Sequence, residues 1–182
     1  MSVPLLPADR APLLARPFYR DGDPGPIVAA LAHVPELLEV AMPFLGAALG
    51  PSAVPWRTKE IVILRTSAQL ECRYCVQSHT VVALDAGLSR DEVLALRAAV
   101  PVSALRDPGE AALVRWVDAV AAGQGPLPSQ LRTDLQAHYD AADVVELTLV
   151  VGVTLLLNRF CTALELPTSP DVLVRLAAEG LV

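Results

Sequence analysis

The sequence predicts an all-α fold, a single-domain helical bundle, and three observations carry that prediction. Hydrophobic residues make up 53% of the 182 positions and aromatics only 4%. A core of Ala, Val and Leu with few rings suits packed helices better than a β-sandwich. Prolines, glycines and capping residues fall where helices start and stop, and no stretch alternates apolar and polar residues as a half-buried strand does.

Each element follows from its own punctuation. Residues 1–26 contain Pro4, Pro7, Pro12, Pro17, Pro24 and Pro26, too many for a helix interior. They read as an extended arm, lying across a neighbouring subunit or loose as a terminus. The helical domain then spans residues 27–182. Ile27–His33 and Pro35–Leu49 read as helices that end before Gly50. Pro55 opens the next at its first turn, where a missing N–H costs nothing. Ile61, Leu64 and Ala68 give that helix its apolar stripe, and it runs to about Leu70.

A further helix starts at Cys72–Arg73 and ends at Gly87. Ser89 and Glu92 form a capping box for a short helix to Ala98. Asp107-Pro108-x-Glu110 starts another, which continues to Ala122 and stops at Gly123. Pro128–Tyr139 is shorter. Asp140–Leu164 is the most apolar, nonpolar on nearly every side between Val144 and Leu157, and is expected to be the central buried helix. Ser169-Pro170 caps a last one.

Composition narrows the function. A net charge of -6 and a pI near 5.0 argue against phosphate backbones as partners, so no nucleic acid is expected. Met1–Arg20 shows no continuous apolar segment of the kind a secretory leader needs. Leu147–Leu157 is shorter than the roughly 20 residues that span a bilayer, and Glu146 and Arg159 flank it. A soluble, cytoplasmic protein is expected, with no membrane partner. Lys59 is the sole lysine, and arginine supplies the other basic side chains. There are three cysteines, two of them close together, which in a reducing compartment points to redox work or a metal.

The informative segment is Glu60–His79: Glu60, eleven residues, Cys72-Arg73-Tyr74-Cys75, three residues, His79. If Cys72 begins a helix, Cys75 and His79 share its face. A cysteine pair at a helix start closes a disulfide with little backbone movement, and the helix N-terminus stabilises a thiolate there. A free thiol has a pKa of roughly 8.5, so a nearby base helps at neutral pH. His79 stands one turn from Cys75. Glu60, on the preceding helix, is a suitable carboxylate to orient it.

This pattern resembles the signature of the alkylhydroperoxidase D and carboxymuconolactone decarboxylase superfamily. The likeness extends to the Pro-rich start, LAHVP at Leu31–Pro35, GLSRDEV at Gly87–Val93, and the Val145–Arg159 helix ending in Asn158-Arg159. The resemblance implies an alkylhydroperoxidase D-like helical domain and a thiol-dependent hydroperoxide reductase with catalytic residues Glu60, Cys72, Cys75 and His79. Cys75 would attack the peroxide, Cys72 would resolve the sulfenic acid to a Cys72–Cys75 disulfide, and an external dithiol would reduce it. It also implies a homotrimer or hexamer and no cofactor or metal. One departure stands out: where alkylhydroperoxidase D has a second histidine between its cysteines, this chain has Tyr74, read here as a residue of the substrate pocket.

Other readings compete. The superfamily's true decarboxylases, acting on a lactone or related small acid, lack the cysteine pair. A non-enzymatic zinc-binding or redox-sensing module would use the same residues, but three ligands from one continuous helix make a poor tetrahedron. Glu60 taken singly has Arg57 or Arg65 as alternative partners. Cys161, on the apolar helix, reads as a small core residue, and His33 and His138 as ordinary. Trp56 and Trp116 read as core or interface anchors, and Asn158-Arg159 as a buried polar network or an interface pair.

Overall fold

A computed structural model describes residues 3–20, 22–98, 105–123 and 125–182. Among these the backbone forms nine α-helices and no strand. In order they are α1 (Pro26–Leu31), α2 (Pro35–Leu49), α3 (Trp56–Gln69), α4 (Arg73–Asp85), α5 (Arg90–Arg97), α6 (Pro108–Ala122), α7 (Ser129–Gln136), α8 (Ala141–Ala163) and α9 (Pro170–Ala178). Helices α1, α2, α6 and α9 begin with proline in the first turn. Ser89 and Glu92 close the capping box of α5. Asp140 and Asp143 close a second one on α8. Ser169 stands at the start of α9, but its hydroxyl makes no capping bond.

Helices α3, α4 and α8 end in the same way, as α9 does at Gly180. A residue with positive φ follows the helix, and the next N–H reaches back to a carbonyl of the last turn. Gly87 does this after α4, with the Leu88 N–H donating to Ala83 O at 3.0 Å. Glu71 does it after α3 (φ 53°), with the Cys72 N–H donating to Ser67 O at 3.2 Å, and Glu165 after α8 (φ 53°), with the Leu166 N–H donating to Cys161 O at 3.0 Å. The last two turns set the entry to Cys72 and the exit from Cys161.

The middle of the fold is α3, not α8. Every residue from Thr58 to Ser67 is buried, and α3 packs against α4, α5, α6 and α8. Ile61, Val62, Ile63 and Leu64 meet Val81 of α4, Val93 and Leu96 of α5, Leu113 and Val117 of α6, and Leu147, Val150 and Val151 of α8. Each such side chain contributes about 1.5–3 kcal/mol when fully buried.

This helix also carries charge into the core, and each charge has a partner. Lys59 is 1% exposed. Its Nζ donates to Ala48 O at 3.2 Å and Gly50 O at 2.6 Å and pairs with Glu146 at 2.7 Å. The ammonium, with the Ser52 hydroxyl, holds the Glu146 carboxyl below its usual range. Arg65 pairs with Asp118 at 2.6 Å and donates to Ala98 O. Arg57 pairs with Glu92 and Glu110. Both arginines are therefore engaged away from Glu60.

Helix α8 buries one side against α3, α6 and α4 and leaves Val145 70%, Leu149 45% and Leu156 58% exposed on the other. By length and composition alone its 23 residues would suit a membrane span, although the shorter run Leu147–Leu157 does not. Its inner side is given over to core packing. Trp116 is buried, whereas Trp56 is 53% exposed.

The N-terminal arm is not extended. It forms two 3-10 turns, Ala8–Arg10 and Arg16–Tyr19, which pack Ala11, Ala15 and Tyr19 on Val28 and Ala32 of its own chain, and on Leu38 of α2. The Tyr19 hydroxyl donates to Leu6 O at 2.8 Å, and the Leu6 N–H to Ala29 O at 3.1 Å. His33 hydrogen-bonds Pro4 O at 2.7 Å. The local turns and apolar side chains outweigh the prolines.

The left-handed residues give a direct stability test. A side chain in this region costs roughly 1–2 kcal/mol, part of which glycine returns as chain entropy in the unfolded state. Glu165→Gly is therefore expected to stabilise the fold by roughly 0.5–1 kcal/mol in denaturant titration. A loss of stability would mean that the Glu165 side chain is itself needed.

Candidate active site

The site forms where the end of α3 hands the chain to the start of α4. Glu60 lies in the first turn and a half of α3, with its side chain 4% exposed. His79 lies in the middle of α4. Packing of α4 on α3 brings His79 Nδ1 to 2.9 Å from Glu60 Oε2. A carboxylate can only accept, so Nδ1–H donates. The pairing expected from spacing is present.

Cys72 occupies the N-cap position of α4, with extended backbone, and Cys75 sits in the first turn. Their sulfurs are 2.8 Å apart, both thiols are free, and both are buried. His79 follows Cys75 by one turn along the same helix.

The third cysteine, read from sequence as a core residue, joins them. Cys161, near the end of α8 and 1% exposed, packs in one cluster with Cys72, Cys75, Ala30 and Leu166. Tyr74, Phe160 and Leu164 close around it. Asn158, one turn earlier on α8, fixes the approach: its Nδ2 donates to Ser67 Oγ at 3.2 Å, beside the turn that leads into Cys72. The Thr168 hydroxyl, beyond α8, donates to Gln77 of α4 at 2.6 Å. The buried-network reading thus holds for Asn158, while Arg159 is exposed. Only the odd count of cysteines hinted at the role of Cys161, since nothing near it in sequence links it to Cys72.

The electrostatics separate the thiols. The Cys161 thiol, then the Cys75 thiol, lower the Cys72 pKa far below the usual thiol range against the opposing effect of burial. The Cys75 N–H and the Thr162 hydroxyl act in the same direction. No capping hydrogen bond closes at Cys72, but the helix start still favours a negative charge there. Cys75 is driven upward by Cys161, Cys72 and burial, and Cys161 upward by Cys72.

A cleft of about 390 Å³ opens over the cluster. Cys72, Cys161 and Tyr74 line it, with Glu71, Arg73 and Glu165 among the polar residues around them. Burial, and after it the negative charge of the neighbouring thiols, pushes the Tyr74 phenol up to about 12, so it stays neutral. Tyr74 thus stands where a pocket residue was expected.

Residues 35–119 match the family model of the carboxymuconolactone decarboxylase family. The chain is 28% identical over 109 residues to the uncharacterized protein YnjA of Escherichia coli (strain K12), covering 60% of this chain and 59% of that relative's length. A peroxidase-related protein from Silicibacter sp. TM1040 superposes with a TM-score of 0.81 at 17% identity, over 94% of this chain and 93% of the other. A cysteine-to-alanine variant of the debrominase Bmp8, in complex with 2,3,4-tribromopyrrole, superposes with a TM-score of 0.78 at 16% identity, over 98% and 99%. At these identities the superpositions show a shared fold.

The charge distribution predicts which thiol reacts in acid. A lowered pKa keeps Cys72 anionic as pH falls, so its alkylation stays fast until the pH passes through its own pKa; Cys75, raised, stays protonated. Iodoacetamide at about pH 5.5, where an ordinary thiol is roughly one-thousandth ionised, is expected to modify Cys72 first by peptide mass spectrometry. Prior labelling of Cys75 would reverse the assignment.

Proposed function

We propose that the chain, whose residues 35–119 match the carboxymuconolactone decarboxylase family model, is a thiol-dependent hydroperoxide reductase working through Cys72 and Cys75, with Glu60 and His79 as proton relay. One observation carries this reading: two free sulfurs 2.8 Å apart, on the helix whose histidine is held by a buried carboxylate.

The order of attack follows the cleft, which Cys72 lines and Cys75 does not, and reverses the one that the resemblance implies. The Cys72 thiolate, facing the cleft, attacks the terminal oxygen of the hydroperoxide. The O–O bond breaks, and the alcohol leaves with a proton from solvent or the relay. Cys72 is now a sulfenic acid. Cys75, whose proton is held tightly, needs a base, and His79 Nε2 is one turn away with Glu60 stabilising the imidazolium. The Cys75 sulfur displaces water from Cys72, closing the disulfide. An external dithiol then reduces it by exchange.

The fold shared with the debrominase supports a second substrate class. The same dithiol would replace a carbon–bromine bond by carbon–hydrogen, releasing bromide and closing the same disulfide. Lactone decarboxylation needs neither sulfur and would survive Cys72→Ser/Cys75→Ser, so that variant separates the readings.

Self-association belongs to the same proposal. The exposed apolar residues Leu37, Val40 and Phe44 of α2 and Val145, Leu149 and Leu156 of α8 lie on two helices that pack together, and apolar surface of that kind marks an interface. A second copy of this chain is its proposed occupant, in a homotrimer or hexamer. Leu149→Glu/Val40→Glu is expected to shift the protein to monomer in light scattering; an unchanged mass would remove the assignment.

Thiol titration tests the chemistry. One equivalent of tert-butyl hydroperoxide is expected to consume two of the three thiols as an intramolecular disulfide. His79→Ala should slow this by about a hundredfold, the low end of general-base effects. Equal rates in both proteins would exclude the relay.

A further inference from the structure

We propose that Cys161 is a third redox thiol, and that the disulfide formed between Cys72 and Cys75 passes to Cys72–Cys161, the pair facing the cleft. This rests on the dithiol reading above and adds to it the form in which the oxidised enzyme meets its reductant.

Cys161 and Cys72 are far apart in sequence. They meet because α8 packs on α3 and the left-handed turn at Glu71 leads the chain from the end of α3 into Cys72. The three sulfurs share one apolar cluster. The cleft is lined by Cys72 and Cys161, and Cys75 is not among its lining residues. A dithiol entering there meets Cys161 and Cys72 directly. The strong mutual influence of Cys161 and Cys72 on their protons fits sulfurs held side by side.

The step is a thiol–disulfide exchange with no net oxidation. The Cys161 sulfur attacks Cys72 Sγ, a Cys161–Cys72 bond forms, and the Cys72–Cys75 bond breaks. The electron pair leaves on Cys75, which takes up the proton that Cys161 gives. The entering dithiol then attacks the Cys72–Cys161 bond, is itself oxidised to a disulfide, and returns both thiols.

Diamide, which oxidises thiol pairs without a peroxide step, tests this independently. In Cys75→Ser it is expected to yield a Cys72–Cys161 disulfide, seen by non-reducing peptide mapping, and in the parent a mixture of Cys72–Cys75 and Cys72–Cys161. Cys161→Ala, which keeps the cluster apolar, should oxidise to Cys72–Cys75 alone and be reduced by dithiothreitol about fivefold more slowly than the parent. Cys161 remaining alkylatable in every oxidised sample, or an unchanged reduction rate, would overturn the proposal. If peroxide closes Cys72–Cys75 while Cys161 stays free, only this inference falls. If diamide forms Cys72–Cys161 but peroxide consumes no thiol, the peroxide reading falls and this one stands.

Discussion

A charged side chain survives in a dry core only where a partner meets it, and α3 is built under that constraint. Unpaired, each buried ion would cost several kcal/mol; paired, each one ties α3 to a different neighbour. Lys59 reaches α8 through Glu146, Glu60 reaches α4 through His79, and Arg65 reaches α6 through Asp118. Arg57, at the rim, gathers α5 and α6 through Glu92 and Glu110. The Glu60–His79 pair is thus one of a set of structural fastenings, and the candidate chemistry uses a contact of the kind the fold already depends on. The geometry of the site therefore inherits the rigidity of the core.

The thiol cluster follows a different logic. Three sulfurs crowded into one apolar pocket move one another's proton affinities apart, down at Cys72, which the helix start also favours, and up at Cys75. His79 stands one turn beyond Cys75 on the same helix.

Much of this was legible in the sequence, and the limits were physical. Helix starts and stops were readable because Pro108, Gly87, Ser89 and Asp107 act on their own few residues. Glu60 and His79 were readable because both lie on helices whose register the motif fixes. The centre of the fold was misjudged: hydrophobicity marks α8, but α3 is buried more completely because distant residues neutralise its charges. An apolar helix surface also looks alike whether it faces a core or solvent, which hid the exposed side of α8. Cys161 is buried as the core reading expects, but its meeting with Cys72 was not legible, because it depends on the packing of α8 on α3 and on a left-handed turn at Glu71 that no glycine announces. The arm was misread because prolines forbid helix interiors but not 3-10 turns packed by Ala11, Ala15 and Tyr19.

The sequestration of Lys59 reaches beyond stability. It is the only lysine in the chain, and its nitrogen is enclosed by two carbonyls and a carboxylate. The folded surface consequently offers no side-chain amine to aldehydes, activated esters or enzymes that conjugate through lysine. In place of ammonium groups it shows guanidinium, which forms no imine and resists acyl transfer.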